Sequence, residues 1–258
     1  MTPGAGRARD IGRARIAWRL GLAALLLHLV LIQPNHPAAM TWGALFVFPL
    51  ELPVILLALV ALPDRGWSRI IRGVLVAALA VIAVLKAADY AMFTALGRGF
   101  NPVADLALIE AGARLLWGSI GPFLTIVAVI GAVLVCCALI RGLWWASGVW
   151  TRVAAPARLT GGLAAGSILF GAVAVAEVGH AMHRWRLPVE PFGQAFTARV
   201  GVERVELARA TLEDLRAFEA AAEDDPFSDW PGLLGVIDRD VIVIFVESYG
   251  RASLDTPL

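Results

Sequence analysis

Apolar residues fall into five runs within the first 182 positions, separated by short polar or basic stretches. The runs cover roughly residues 16–32, 41–62, 73–96, 118–140 and 161–182. A helix needs roughly 20 apolar residues to cross the hydrocarbon core of a bilayer. The last four runs meet that length, and the shorter first run is predicted to span with Trp18 and Arg19 at one interface. The pattern therefore predicts an all-α membrane bundle of five transmembrane helices.

The first run has an alternative interpretation as the core of a cleaved signal peptide. A basic segment precedes it, and Pro37-Ala38-Ala39 loosely matches a cleavage site. An uncleaved first helix is the interpretation we favour, and cleavage would leave the orientation of the later helices unchanged.

Composition and charge divide the chain into two parts. The protein is 59% hydrophobic and 17% charged, with a mean hydropathy of +0.75. Residues 1–179 carry 14 Arg and Lys against 7 Asp and Glu, whereas residues 180–258 carry 8 against 14. This asymmetry predicts a membrane part with basic loops, followed by an acidic soluble part. No basic stripe lies on a soluble segment, so nucleic acid is not an expected partner.

The arginines predict how the bundle is oriented. They are concentrated before the first run, after the second and after the fourth, and cytoplasmic loops carry such an excess. We therefore expect a multi-pass protein of a bacterial-type cytoplasmic membrane, in contact with membrane lipids. Its basic tail (1–15) would be cytoplasmic, and the chain beyond the five-helix domain (16–183) would lie outside.

Four ionisable residues lie inside the predicted spans, namely Glu51, Lys86, Asp89 and Glu177. Such groups are costly in lipid and usually face the protein interior, either paired or functional. Lys86 and Asp89 are three residues apart and could pair on one helix face. The set is consistent with structural ion pairing, with a polar pocket for a lipid head group beneath the outer part, or with an ion pathway.

The segments between and after the spans also carry predictions. Residues 97–117 are expected to form a short helix at the outer interface, and the Trp-rich loop 143–150 its counterpart at the inner one. Residues 184–235 form a predicted linker with an amphipathic helix at 201–222. Thr211 and Asp214 have capping-box spacing, which could break that helix into two.

Near the end of the chain, six apolar residues precede Glu247 and Ser248. An unbroken apolar run of this length is typical of a strand buried on both faces, so Glu247 would lie at a strand end where ligands collect. The carboxylate is either a hydrogen-bonded turn residue or a ligand of a hard divalent cation. Ser248 resembles a nucleophile elbow but lacks its first Gly, and no His follows it.

The motif Val-Ile-Phe-Val-Glu-Ser-Tyr-Gly-Arg at residues 243–251 resembles the membrane-bound sulfatase/alkaline-phosphatase superfamily. The arrangement of five helices, outer linker helix and strand is similar to lipoteichoic acid synthases and lipid A phosphoethanolamine transferases. The transferases usually carry Gly before the Glu, whereas this chain has Val246, which favours the synthase-like branch.

The resemblance implies a function, and it also implies that part of the functional site is missing from this chain. It implies a metal-dependent enzyme that transfers or hydrolyses phospho- or sulfo-groups on lipid-linked or cell-envelope substrates, with Glu247 as a ligand of Mn, Mg or Zn. Residues 236–258 would begin a truncated α/β, alkaline-phosphatase-like domain. The family's nucleophile and its remaining ligands would lie beyond Leu258, so we expect this chain alone to be an inactive N-terminal fragment. A non-catalytic membrane scaffold and a transporter are the alternatives.

Overall fold

The computed structural model describes residues 3–62, 66–153, 155–189 and 191–224, together with positions 232, 235 and 237–242. Within this part of the chain the secondary structure is helical and contains no β-strand. The α-helices are α1 (Pro3–Ile32), α2 (Glu51–Ala61), α3 (Gly66–Leu96), α4 (Leu106–Thr151), α5 (Ala157–Ala181) and α6 (Phe196–Glu223). Short 3₁₀ turns, Pro37–Ala39 and Trp42–Phe46, lie between α1 and α2.

Four of the described helices are long and apolar enough to cross a membrane. They are Gly12–Ile32 within α1, Gly66–Leu96, Leu106–Thr151 and Ala157–Ala181. The expectation of a helical membrane protein is therefore confirmed, whereas five spanning helices are not.

The second predicted run, residues 41–62, does not form one long helix. Pro49 restricts Phe48 to extended backbone, because a residue before proline is pushed out of the helical region. The run becomes a 3₁₀ turn, an extended stretch and α2, which has only 11 residues. In the extended stretch, Leu50 N–H donates to Gln194 O at 3.0 Å and Gln194 N–H donates to Phe48 O at 3.0 Å. The number of apolar residues in this run did not predict the break, because it takes no account of the proline at position 49.

Helix α4 covers three segments that the sequence pattern separates. Its 46 residues are two helical segments that meet at a break at Gly121. The predicted interfacial helix therefore stays separate from the fourth run, which is continuous with the Trp-rich loop. Gly121 has φ +81°, a left-handed conformation that glycine adopts without a Cβ penalty. Pro122 then starts the second helical segment at a position where its missing N–H costs little. The predicted loop at 143–150 is helical because it contains no proline to end the helix.

The largest core lies among the first four helices. Its fully buried members include Ala23, Leu27, Leu59, Leu143 and Ala146. Many other apolar side chains of α3, α4 and α5 are exposed on the outside of the bundle. That distribution suits helices whose outer faces are covered by lipid rather than by protein.

The helix predicted at 201–222 is confirmed and is longer than predicted. α6 is continuous through Thr211, whose hydroxyl donates to Leu207 O at 2.8 Å and accepts from Asn101 Nδ2 at 2.8 Å. The break that the capping-box spacing allows does not occur, because Thr211 has these partners instead. Of the predicted strand, Val241 and Ile242 are exposed and non-helical. Its other residues, together with Glu247, Ser248 and the rest of the chain to Leu258, lie outside the described residues.

Candidate functional site

The start of α6 is held by two carboxylates from other helices. The first N–H groups of a helix have no partner within it, and Ala195 at the N-cap supplies no side-chain acceptor. Ala195 N–H donates to Glu177 Oε2 of α5, and Ala198 N–H donates to Glu51 Oε1 of α2, both at 2.9 Å. Negative charge is also favoured at a helix N-terminus by the helix dipole. Glu51 and Glu177 therefore cap α6 from two directions.

Lys86 joins the end of α1 to the start of α6. Its side chain is completely buried, and Nζ donates to Leu31 O at 2.9 Å and to Thr197 Oγ1 at 2.8 Å. Thr197 Oγ1 in turn donates to Leu31 O at 2.7 Å. The Phe196 ring lies 4.6 Å from the ammonium, close enough for a cation–π contact. Leu31 lies in the last turn of α1, where carbonyl groups lack helical partners, so the ammonium satisfies one of them.

Asp89 joins α3 to α6 and to two loops. It is completely buried and forms an ion pair with Arg204 at 2.9 Å. Phe100 N–H donates to Asp89 Oδ1 at 2.9 Å, and Asn35 Nδ2 donates to Asp89 Oδ2 at 3.3 Å. Arg204 also donates to Phe100 O at 2.7 Å. One carboxylate thus fixes the middle of α6 and the turns that follow α1 and α3.

We call this arrangement the polar anchor. Its members are Glu51, Lys86, Asp89, Glu177, Thr197 and Arg204. The structure brings all four sequence-predicted residues against the segment 195–204. It also corrects the expected pairing, because Lys86 and Asp89 bind different partners. The apolar residues Leu50, Ala174, Val178 and Ala195 pack beside the anchor and limit the access of water to it.

Two polar atoms of the anchor remain without a hydrogen-bond partner among the described residues. They are Glu51 Oε2 and Arg204 Nε, and both are buried. Glu51 and Lys86 attract one another electrostatically, which offsets part of the cost of burying the Glu51 carboxylate. The predicted head-group pocket beneath the outer part stays a prediction; the carboxylates and the ammonium contact α6.

Thr197 and Arg204 were not singled out by the sequence. Arg204 belongs to the alternating charges of α6, where Arg209 and Arg216 occur in a similar context. Nothing in that pattern distinguishes an arginine that meets a buried carboxylate from one that is solvated. The buried acidic partner was visible in the sequence, but its pairing depends on how α6 lies against α3.

A second polar cluster closes the turn between α3 and α4. Arg98 donates to both oxygens of Asp105, at 2.7 and 2.8 Å, and Asn101 N–H donates to Asp105 Oδ2 at 2.7 Å. The Arg98 guanidinium holds the pKa of Asp105 below its usual range, and the Asn101 N–H adds to the effect. We call this cluster of Arg98, Asn101 and Asp105 the Arg98–Asp105 clasp. It fixes the loop whose Phe100 N–H donates to Asp89.

The metal prediction concerns a different part of the chain. Among the residues that the structure describes, no three His, Cys, Asp or Glu side chains form a group that could hold a metal ion. Glu247 lies outside those residues, so its role as a ligand stays a prediction. The anchor carboxylates accept hydrogen bonds from backbone N–H groups, and Asp89 also pairs with Arg204, which is a structural use of acidic side chains.

Comparison of the chain with protein-family models, with curated proteins and with solved structures finds no match. The resemblance of residues 243–251 to a known superfamily therefore stays a prediction. Function has to be inferred from the geometry of the membrane part and from that motif.

Proposed function

We propose that the chain is the membrane part of a sulfatase-like enzyme that acts at the outer face of the cytoplasmic membrane. The complete enzyme would transfer or hydrolyse phospho- or sulfo-groups on lipid-linked or cell-envelope substrates. The observation that carries this proposal is the sequence motif at 243–251, which resembles the start of such a catalytic domain. The polar anchor supports the membrane part of the proposal, because it fixes α6 to the bundle through groups of four other helices.

The distribution of charge supports the proposed orientation. Arg72 contacts Trp144, and Arg19 and Arg152 line one cleft, so the basic ends of α1, α3 and α4 lie together. The start of α6 lies at the other end, beside Leu31 and Lys86. By the positive-inside rule the arginine-rich end is cytoplasmic, and α6 is outside.

The connection between α1 and α3 supports a fifth crossing. α1 ends beside the polar anchor, and α3 begins at the arginine-rich end, so residues 33–62 lead back from the anchor toward that end. α2 starts at the anchor through Glu51 and is about 16 Å long at 1.5 Å per residue. It therefore covers about half of a bilayer core of roughly 30 Å, and α2 with its flanking segments supplies the proposed second crossing.

Glu247 is the residue of this chain that we propose as a ligand of Mn, Mg or Zn. Such an ion neutralises charge on phosphoryl or sulfuryl oxygens and lowers the pKa of a nucleophile. The nucleophile and the other ligands are proposed to belong to the α/β domain that residues 236–258 would begin.

The test uses the complete product of the gene, reconstituted in lipid nanodiscs. Its substrates are p-nitrophenyl phosphate, p-nitrophenyl sulfate and a phospholipid labelled in its head group, with and without added Mn. We expect metal-dependent turnover that Glu247→Ala lowers at least about 100-fold. Glu219→Ala, which removes an exposed carboxylate of α6, is the matched control and should retain activity. Equal activity of the two variants, or a reading frame that encodes no downstream nucleophile, would contradict the proposal.

A non-catalytic membrane scaffold is the second candidate function. It is favoured by the fact that every member of the polar anchor serves to attach α6, with Lys86 fully buried and hydrogen-bonded. This use of the charged groups also argues against transport through them. The scaffold predicts that equilibrium dialysis detects no difference in Mn binding between the wild type and Glu247→Ala, whereas the enzyme predicts a loss.

A further inference from the structure

The seam between α3 and α4 changes from charged to apolar along its length. At the arginine-rich end, a cleft of about 460 Å³ is lined by Arg72, Arg141, Arg152, Trp144 and Trp145, among others. Further along the same two helices, an apolar groove of about 240 Å³ is lined by Ala80, Val81, Val84, Leu85, Cys136, Leu139 and Ile140. Ile140 of the groove directly precedes Arg141 of the cleft, so the two spaces follow one another along α4.

Arg72 is held in place at the back of this cleft. Its Nη2 donates to Trp144 O at 2.9 Å, and its Nε donates to the buried Ser147 Oγ at 3.4 Å. The guanidinium lies 4.4 Å from the centre of the Trp144 ring. A Cβ at Gly148 would lie 2.7 Å from Arg72 Nη2, so this arrangement uses the absence of a side chain at that position. The back wall of the cleft is therefore a fixed positive charge.

In the part of the chain that the structure describes, no carboxylate neutralises the positive charge of the cleft. Arg69 and Arg152 both repel Arg72 electrostatically. Among the described residues, no ion pair joins Arg72, Arg141 or Arg152 to a carboxylate. Arg152 also lines a neighbouring cleft of about 370 Å³ that contains Arg19. An anion is the complement of such a cluster, and exposed tryptophans are typical of the lipid–water boundary.

We propose that this seam binds one anionic phospholipid, with the phosphate against Arg141 and Arg152 and an acyl chain along the groove. The order of the lining, cationic and then wholly apolar, matches an amphiphile and not a free anion. Basic pockets between transmembrane helices bind acidic lipid head groups in this way. From Arg72 to Val84 the seam runs about 18 Å along α3, which is more than half of the hydrocarbon core. The proposal does not depend on the activity proposed above.

The test measures lipid retention by native mass spectrometry and thermal stabilisation of the purified protein. The probes are dioleoylphosphatidic acid and dioleoylphosphatidylcholine, which share their acyl chains and differ in head-group charge. We expect the wild type to retain phosphatidic acid and to gain melting temperature with it, and to show neither effect with phosphatidylcholine. Arg141→Gln combined with Arg152→Gln should weaken retention at least about 10-fold, because two charge-assisted contacts are removed. Arg158→Gln, an exposed arginine at the same end that lines neither cleft, should not.

A second pair of variants tests the groove. Val81→Trp would fill it and should release phosphatidic acid, whereas Val74→Trp places the same ring on an exposed position of α3 outside the groove. If Val81→Trp fails to fold by circular dichroism, Val84→Phe takes its place. Glycerol 3-phosphate, which lacks the acyl chains, should compete only weakly.

Three outcomes would overturn the proposal. Competition by glycerol 3-phosphate at the same concentration as phosphatidic acid would make the cleft a site for a soluble anion. Equal losses of phosphatidic acid retention in Arg158→Gln and in the double variant would show that the lipid is attracted by the general positive charge of this end and not bound in the cleft. Unchanged retention in Val81→Trp, or in Val84→Phe where it replaces Val81→Trp, would separate the apolar groove from the binding.

Discussion

The two ends of the helical bundle hold their charged side chains in opposite ways. At the end where α6 begins, Lys86 and Asp89 are completely buried, Glu177 is 7% exposed, and each of these groups has a hydrogen-bond partner. At the other end, Arg141 and Arg152 are exposed and have no carboxylate partner among the described residues. Both ends lie in an otherwise apolar domain.

The difference follows from the hydration free energy that each charged group would lose on burial. Removing an ion from water costs several kcal/mol unless hydrogen bonds and opposite charge replace the solvent. At the anchor end the replacement comes from α6, so α6 and the buried charges depend on one another. At the basic end the guanidinium groups remain at the surface, where water or lipid head groups can solvate them. The first end is therefore structural, and the second is available to a ligand.

The largest effect is expected from removing the carboxylate that pairs with α6. Asp89→Ala leaves Arg204, Phe100 N–H and Asn35 without their acceptor in a buried place. We expect the free energy of unfolding to fall by about 3–5 kcal/mol, the range for breaking a buried ion pair. Thermal unfolding in detergent measures the loss, and faster tryptic cleavage at Arg209 would report that α6 has detached.

The matched control is an ion pair at the surface. Glu110 and Arg114 lie 2.6 Å apart on α4, with both side chains largely exposed. Glu110→Ala should cost no more than about 0.5 kcal/mol, because water replaces the lost contact. Equal losses from Asp89→Ala and Glu110→Ala would remove the distinction between a buried anchor and a solvated surface pair.

A smaller loss of stability is expected from replacing Thr197, and chemical labelling of Lys86 can report it. Lys86 is the only lysine in the sequence, and it is fully buried. Thr197→Val removes one acceptor of its ammonium and one donor to Leu31 O, which should cost about 1–3 kcal/mol. An amine-reactive ester should then modify Lys86 faster than in the wild type, as measured by peptide mass spectrometry.

Thr160→Val is the control for this measurement. Thr160 donates to Ala157 O at 2.7 Å in the first turn of α5, at the opposite end of the bundle. Its loss should leave the labelling rate of Lys86 unchanged. Rapid labelling of Lys86 in the wild type would show that the anchor is open to solvent and would contradict its structural role.

The sequence predicted the helices better than their ends and their breaks. Apolar run length identified the four helices that are long and apolar enough to cross a membrane, because burial in lipid depends on composition over many residues. The amphipathic pattern identified the helix at 201–222. Run length failed at Pro49, where one residue changes the backbone and composition barely changes, and it placed the boundary that lies at Gly121 four residues too early. A proline or glycine inside an apolar run has to be weighed separately from the run's length.

Of the candidate site, the sequence predicted the buried members and not their partners. Glu51, Lys86, Asp89 and Glu177 stand out because charge in an apolar run is costly. Their partners are backbone N–H groups, Thr197 and Arg204, which resemble many other groups in the chain. Local spacing favoured a bond between Lys86 and Asp89, but the contacts with α6 are made across more than 100 residues of sequence.

The glycines extend the comparison between the two ends. At the anchor end, a Cβ at Gly193 would lie 2.5 Å from the backbone oxygen of Phe48, which cannot move without shifting the chain. Gly193→Ala should therefore destabilise the protein by about 1–3 kcal/mol, the usual cost of overpacking. At the basic end, a Cβ at Gly148 would lie 2.7 Å from Arg72 Nη2, the end of a side chain that two hydrogen bonds hold in place. Gly148→Ala must therefore displace a guanidinium but no backbone, and it should cost at most about 1 kcal/mol. Chemical unfolding in detergent measures both variants, and the reverse order would show that Arg72 is the more rigidly held contact.

The smallest effect concerns pH and the Arg98–Asp105 clasp beside the anchor. Because the pKa of Asp105 is lowered in the folded protein, its contribution to stability is present above the ordinary value of 3.8. That contribution is lost as the pH falls from about 4 through the lowered pKa, since the unfolded chain then binds the proton more readily. Arg98 is half exposed, so the loss should not exceed about 1 kcal/mol.

The measurement is the melting temperature between pH 5 and pH 2.5, compared with that of Asp105→Asn. The part of the fall in melting temperature with pH that Asp105 causes should be absent from this variant. Asp214→Asn, at an exposed position of α6, should keep the slope of the wild type, and a flattened slope there would assign the pH dependence to the general acidity of α6.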